Sequence, residues 1–273
     1  MNAAPAQAGR RDALSKAPPA IIMFWVVKIC ATTVGETGGD AVSMSLNLGY
    51  VVATLIFLAF FVATLIAQLS ARRYHPWTYW LLVVATTTVG TTTSDMIDRT
   101  FHMGYVKSSA MLLALVIVVL IAWRLTTGRI ESDKIVGRRD EIFYWLTILV
   151  SNTLGTALGD FTADDTGLNL GFETGAVLFA GLIGVVAILH LVKRVPQAIL
   201  FWAAYVLTRP LGATLGDTLT KPLAMGGLHF SRFLATGVIA AAMIVLVLLT
   251  PRLRRPAMAA AVGRREDPAD PFG

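Results

Sequence analysis

Long apolar runs alternate along the chain with stretches that mix apolar and polar residues. The longest runs cover residues 51–69, 111–123, 176–191 and 233–249. They approach or reach the roughly 20 residues that a helix needs to cross a hydrocarbon core about 30 Å thick. Apolar residues make up 55% of the chain and charged residues 15%, which is unlike a soluble domain. The pattern predicts an all-α membrane protein.

A repeat of tryptophan, glycine and aspartate occurs four times. In each copy the glycine follows the tryptophan by ten residues and the aspartate follows the glycine by five. The sets are Trp25, Gly35 and Asp40; Trp80, Gly90 and Asp95; Trp145, Gly155 and Asp160; and Trp202, Gly212 and Asp217. Such self-similarity indicates a repeat architecture. Each copy predicts two helices joined by a short outer loop, so all four copies have the same, parallel orientation.

Basic residues predict the orientation of these helices. Most of the 23 Lys and Arg residues lie in five blocks, within residues 10–16, 72–73, 124–139, 193–194 and 252–265. By the positive-inside rule these blocks are cytoplasmic, which predicts eight transmembrane helices with both termini inside. The net charge of +6 is then an orientation signal, and no nucleic-acid partner is expected.

The repeats and the charge blocks divide the chain into seven segments. They are a cytoplasmic N-terminal segment (1–19), repeat 1 (20–74), repeat 2 (75–124), a cytoplasmic connector (125–140), repeat 3 (141–194), repeat 4 (195–250) and a cytoplasmic tail (251–273). The tail composition predicts disorder. Aromatic pairs such as Phe24–Trp25 are expected to anchor the helices at the membrane interface.

Because of these repeated tryptophans, the chain resembles a bacterial family of integral membrane proteins built from four tandem repeats. Each repeat of that family has two transmembrane segments and a characteristic tryptophan, matched here by Trp25, Trp80, Trp145 and Trp202. The resemblance extends from about residue 24 to about residue 250. It implies the eight-helix architecture and a bacterial inner membrane, and it leaves the activity open.

One face of the first helix in each copy carries side-chain oxygens. Thr33, Thr37 and Asp40 have the i, i+4, i+7 spacing that places residues on one helix face. The corresponding residues in the other copies are Thr88, Thr92 and Asp95; Thr153 and Asp160; and Thr214 and Asp217. Glu36 flanks this stripe. Gly35 and Gly39 lie on the far side, where a small-xxx-small pattern predicts close helix packing.

Copies three and four depart from this stripe. Ala157 replaces a threonine in copy three, and Arg209 and Pro210 stand where copy one has Thr32 and Thr33. Arg209 is expected to be an internal counter-ion for the carboxylates, or a lock that holds the helices together.

Beyond the aspartates, each copy continues to a polar residue and a glycine. Asn47 and His102 follow their aspartates by seven residues, with Gly49 and Gly104 two residues later; Asn169 and Gly171 follow after a two-residue insertion. The same count in copy four gives Ala224 and Gly226. Asn47, His102 and Asn169 are therefore candidate ligands at the outer ends of the helices.

Buried carboxylates suggest the function. Ionisable groups inside a bilayer usually mark a pathway or a binding site. Glu36, Asp40, Asp95, Asp160 and Asp217 outnumber Lys28 and Arg209 in the first helices. Oxygen ligands suit a hard cation, whereas the single cysteine, Cys30, excludes a thiolate cluster.

The sequence thus favours a transporter or exporter of Mn²⁺, Mg²⁺ or another hard cation, with proton coupling as an option. The expected metal ligands are Asp40, Asp95, Asp160, Asp217 and Glu36, and the expected substrate-binding residues are Thr33, Thr37, Thr88, Thr92, Thr153, Thr214, Asn47, His102, Asn169 and Arg209. The expected partners are the lipid bilayer, the cation or a proton, and a second copy of the chain.

Two other functions stay open at this point. The threonines and aspartates could bind a small cationic organic substrate, or the aspartates could be helix caps in a membrane scaffold. Catalysis is disfavoured because no helix carries a nucleophile beside a histidine, and because a presenilin-like motif would need glycine where Thr37 and its equivalents stand. No enzyme activity and no cofactor are therefore expected. Whether the copies close around one axis or form two halves is also open.

Overall fold

The computed structural model describes residues 15–130 and 135–263, and side chains as far as residue 250. Within these ranges the chain forms eight long α-helices and no strand. They are α1 (Ile22–Asp40), α2 (Gly49–Ser70), α3 (Pro76–Asp95), α4 (Tyr105–Thr127), α5 (Arg138–Ala163), α6 (Phe172–Val192), α7 (Gln197–Thr220) and α8 (Arg232–Gly263). The predicted all-α fold is confirmed.

Three of the predicted segments extend beyond the described part of the chain. Residues 1–14 of the N-terminal segment, 131–134 of the connector and 264–273 of the tail lie outside it. Residues 251–263 continue α8, so the beginning of the tail, where the composition predicts disorder, is helical.

The first helices of the four copies form an inner ring. In this ring α1 packs against α3 and α7, and α5 packs against the same two helices. The second helix of each copy lies outside and packs on the first helix of the next copy: α2 on α3, α4 on α5, α6 on α7, and α8 back on α1. The copies therefore close around one axis, here called the repeat axis, and the two-halves alternative is wrong.

Glycines allow the inner helices to approach one another closely. A Cβ atom at Gly35 would overlap Thr87 of the next copy, and one at Gly212 would overlap Thr32. A Cβ at Gly155 would overlap Arg209, and one at Gly90 would be in tight contact with Asn152, at 3.1 Å. In every copy the repeat glycine thus faces the residue eight positions before the aspartate of the next copy. The predicted close packing at the glycines is confirmed.

Six helices are long and apolar enough to cross a membrane: α2, α4, α5, α6, α7 and residues 232–250 of α8. Helices α1 and α3 are not among them, because their threonines and charged residues lower their hydropathy. Their polar side chains are buried in the inner ring, where neighbouring helices shield them. The structure is therefore that of a membrane-type helix bundle.

Aromatic residues fill the ring at the end where the inner helices begin, here called the aromatic end. The hydroxyls of Tyr79 and Tyr144 are 2.7 Å apart, and Phe24 and Phe201 stack with 6.2 Å between ring centroids. Trp80, Trp145 and Trp202 are buried in this cluster. The expectation of surface anchors is wrong for these three, because the ring of helices turns their side chains inward.

Candidate functional site

The inner helices present a polar face to the repeat axis. This face consists of the residues four, eight and twelve positions before each repeat aspartate, here called the axial residues. They are Glu36, Thr91, Thr156 and Ala213 at four positions; Thr32, Thr87, Asn152 and Arg209 at eight; and Lys28, Val83, Ile148 and Tyr205 at twelve. None is more than 3% exposed. The centre of the bundle therefore contains buried charge where an apolar core is usual.

Arg209 lies at the centre of the ring. Its Nη2 is 2.9 Å from Glu36 Oε2 and donates to the hydroxyls of Thr91, at 2.5 Å, and Thr156, at 2.6 Å. These three acceptors are the equivalent axial residues of the other three copies. The fourth copy, which has Ala213 at this position, thus supplies the guanidinium that joins the others.

The four repeat aspartates form a buried layer at the other end of the inner helices, here called the acidic layer. Arg99 Nε is 3.0 Å from Asp95 Oδ1, and its Nη2 is 3.8 Å from Asp160 Oδ2. Lys221 Nζ is 3.2 Å from Asp217 Oδ1 and 3.3 Å from Asp40 Oδ2. Each cation follows the aspartate of its own copy by four residues, and each also contacts the aspartate of the next copy.

The inferred surplus of negative charge is therefore wrong. The sequence count included only the charges of the first helices, but Arg99, Lys221 and Arg232 also reach the acidic layer; Arg232 Nε is 3.6 Å from Asp40 Oδ2. With Lys28 and Arg209 in the axis, five cations face Glu36 and the four aspartates. A metal ion entering this layer must displace a cationic side chain.

Three carboxylates come together on one side of the acidic layer. Glu36, Asp40 and Asp217 each offer one oxygen within 4.8 Å of the others, and all three are buried. Among the described residues this is the group of three or more acidic, His or Cys side chains that meets the distance requirement of a metal site. Asp95 and Asp160 lie apart from it, around Arg99. The predicted set of five ligands is thus divided into a group of three and a group of two.

Lys221 lies against this group of three. Burial works to lower the pKa of its ammonium, but the carboxylates of Asp217 and Asp40 raise that pKa well above its ordinary value. The side chain is therefore positively charged at physiological pH and compensates two of the carboxylates.

The threonine stripe makes hydrogen bonds within the inner helices themselves. Its hydroxyls donate to carbonyl oxygens of their own helices: Thr33 to Ile29, Thr37 to Thr33, Thr88 to Val84, Thr92 to Thr88, Thr153 to Leu149 and Thr214 to Pro210. Thr37 also meets Thr236 of α8 at 2.8 Å. At Thr37 the stripe thus contacts an outer helix, whereas Glu36 lies on the axial face. The four-residue spacing of Lys28, Thr32 and Glu36 is the sequence signal that marks this face.

The three outer candidates lie in exposed turns. Asn47, His102 and Asn169 have φ angles of 55°, 54° and 51°, in the left-handed region where Asn and His are enriched. The residue with this conformation in copy four is His229, with φ 58°, so the alignment on Ala224 is wrong. The shared conformation explains the residue types as turn formers; their role as ligands stays a prediction.

Comparison of the sequence with protein families gives the class to which this bundle belongs. Residues 23–74, 78–129, 143–195 and 200–256 each match the family described as Repeat of Unknown Function (DUF347). These matches cover most of the chain, so the protein belongs to this family, and the predicted four-repeat membership is confirmed. No curated protein and no solved structure matches the chain.

Proposed function

We propose that the protein is a transporter or exporter of a hard cation, with Mn²⁺ and Mg²⁺ as the first candidates. All eight helices cross the membrane, and both termini are cytoplasmic. The acidic layer then faces outward and the aromatic end inward, in agreement with the basic blocks. The proposed location is the bacterial inner membrane, and the partners are the lipid bilayer, the cation and a second copy of the chain.

The buried ion pairs on the repeat axis are the observation that carries this proposal. Charged groups in a bilayer interior are costly and usually mark an ion pathway. The glycine contacts already hold the inner helices together, and Ala213 shows that an apolar residue fits the axial face. The charges at Glu36, Arg209 and Lys221 are thus better explained by ion movement than by helix packing.

Lys221 occupies the place that the cation takes. In the resting state its ammonium lies between Asp40 and Asp217. An entering Mn²⁺ or Mg²⁺ binds the oxygens of Glu36, Asp40 and Asp217 and completes its coordination with water. Lys221 follows α7 directly, so its side chain can move outward as the ion arrives. The carboxylates then face a cation in both states, with one more positive charge when the ion is bound.

Cation binding at Glu36 also affects Arg209, at the centre of the ring. When Glu36 binds a cation, its attraction for Arg209 weakens, and the guanidinium keeps the Thr91 and Thr156 hydroxyls as partners. A proton that binds the carboxylates would have the same effect, which is how proton coupling could enter. The aromatic cluster closes the axis at its cytoplasmic end until this rearrangement occurs.

Flux through reconstituted liposomes tests the proposal. We expect wild-type protein to admit Mn²⁺ or Mg²⁺ to an internal indicator, and we expect Asp217→Asn and Glu36→Gln to lose this flux. Asp165→Asn, at an exposed outer position, is the matched control and keeps it. Wild-type liposomes that pass neither ion would count against cation transport.

A small cationic organic substrate is the second candidate. A cavity of about 270 Å³ beyond α3 and α4 is lined by Asp98, His102, Tyr105 and Thr166. It offers one carboxylate and aromatic surface to such a cation. Competition of organic amines with Mn²⁺ flux distinguishes the two candidates. A scaffold role predicts no flux of either kind.

A further inference from the structure

The middle of the repeat axis has more hydrogen-bond donors than acceptors. Arg209 is fully buried, and its Nε and Nη1 have no acceptor among the described residues. Only Nη2 makes the contacts to Glu36, Thr91 and Thr156 described above. Buried donors are nearly always satisfied in folded proteins, so these two nitrogens require a partner that the described side chains do not supply.

Lys28 lies on the same stretch of the axis. Its Nζ is fully buried and is 4.2 Å from the centroid of the Tyr205 ring. Its hydrogen bond to Asn152 Oδ1 is long, at 3.5 Å. The amide nitrogen of Asn152 donates to Thr86 Oγ1 at 3.0 Å, which fixes the amide oxygen towards Lys28. The ammonium therefore has one weak acceptor and an aromatic face for its three N–H groups.

The charges on this stretch do not cancel. Lys28 and Arg209 repel each other, and Glu36 is the carboxylate in contact with them, at Arg209 Nη2. The acidic layer beyond Glu36 holds four aspartates against Arg99, Lys221 and Arg232, and its excess carboxylate lies where Asp95 and Asp160 share Arg99. Among the described residues no carboxylate forms an ion pair with Lys28, and a charge without a near partner is expensive at this depth.

We propose that a monovalent anion the size of chloride binds on the axis between Lys28 and Arg209. Chloride accepts hydrogen bonds and donates none, which fits Lys28 Nζ and the free Nε and Nη1 of Arg209. It also places a negative charge beside Lys28, which a water molecule cannot. This site is distinct from the group formed by Glu36, Asp40 and Asp217, and it does not depend on cation transport.

Thermal unfolding of the detergent-purified protein tests this site. Sodium chloride is exchanged for sodium gluconate at constant ionic strength, because gluconate is too large for a site between two side chains. We expect the melting temperature to rise saturably with chloride, by on the order of 5 °C at about 100 times Kd. Equal melting temperatures in the two salts would overturn the proposal and indicate water in this position.

Two variants remove the net positive charge in opposite ways. Lys28→Met deletes the cation, and Asn152→Asp places a fixed carboxylate beside it. We expect neither variant to respond to chloride, and we expect Asn152→Asp to melt in gluconate at about the temperature of the wild type in chloride. Lys107→Met, at an exposed position in α4, is the control and keeps the full response.

Either Lys28→Met or Asn152→Asp is sufficient to test the anion site if the other variant does not fold. If Lys28→Met is not obtained as folded protein, Asn152→Asp decides alone, and a wild-type response to chloride in that variant would contradict the site. Asp217→Asn separates this proposal from the proposed transport. It is expected to lose its response to divalent cations and to retain its response to chloride.

Discussion

Arg209 and Glu36 form a fully buried ion pair across the ring, although 173 residues separate them in the chain. The pair joins copy four to copy one, the two copies that close the circle. Removing one partner of a buried pair leaves an uncompensated charge, which costs about 3–5 kcal/mol in proteins where it has been measured. In the folded ring each of these two charges is thus the partner that the other needs.

We therefore expect Glu36→Gln and Arg209→Met each to lower the melting temperature strongly. The double variant removes both charges together, so its loss should be smaller than the sum of the single losses. A double-mutant cycle of thermal unfolding in detergent measures this coupling. Additive losses would show that the two side chains do not interact in the folded protein.

Glycine substitutions test the ring directly. A Cβ at Gly212 would overlap Thr32, whereas a Cβ at Gly181 of α6 meets nothing within 4 Å. We expect Gly212→Ala to destabilise the protein by about 1–3 kcal/mol through overpacking. Gly181→Ala should be neutral or slightly stabilising, because alanine favours a helix. Equal effects of the two substitutions on the melting temperature would contradict the close contact between α7 and α1.

Lys221 is expected to compete with the bound cation. In Lys221→Met the carboxylates of Asp40 and Asp217 lose this internal partner, so Mn²⁺ should bind more tightly, with Kd lower by about tenfold. The affinity is obtained from the Mn²⁺ dependence of the melting temperature. Lys107→Met serves as the control for a lost surface charge. An unchanged or weaker affinity in Lys221→Met would show that the lysine is not displaced.

The pH dependence of stability reports on the same lysine. Burial lowers its pKa, but Asp217 and Asp40 outweigh burial and raise the folded-state pKa. Its pairing thus stabilises the fold fully below the unfolded pKa of about 10.4, and this contribution is lost as pH rises through the folded pKa. Without divalent ions, the difference in melting temperature between wild type and Lys221→Met should shrink as pH rises above about 10. A difference that stays the same between about pH 10 and about pH 12 would contradict this assignment.

The repeat architecture could be predicted from the sequence, and the arrangement of the copies could not. Tryptophan, glycine and aspartate at fixed spacing define four copies because each copy meets the same packing demands. Ring closure depends on contacts such as Gly212 with Thr32, between residues far apart in sequence. A repeat pattern defines the residues within each copy, and it does not predict which copies pack against each other.

Part of the candidate site could be predicted from the sequence. Glu36 and the four aspartates are buried as expected, and the role of Thr33 and Thr37 in substrate binding stays a prediction. Arg99 and Lys221 each follow their aspartate by four residues, within reach of an ion pair, and this spacing is a sequence signal for the acidic layer. The axial position of Lys28 and Arg209 emerges only when all four copies are compared at once.

Cation-dependent thermal unfolding is the measurement that tests the proposed site most directly. Wild type, Asp217→Asn and Asp160→Asn are compared with Mn²⁺, Mg²⁺ and no divalent ion. Asp217 belongs to the group of three carboxylates, whereas Asp160 lies beside Arg99. We expect Mn²⁺ or Mg²⁺ to raise the melting temperature of wild type and Asp160→Asn, and to have no effect on Asp217→Asn. A wild type that responds to neither ion, or an Asp217→Asn variant that responds fully, would contradict cation binding at this site.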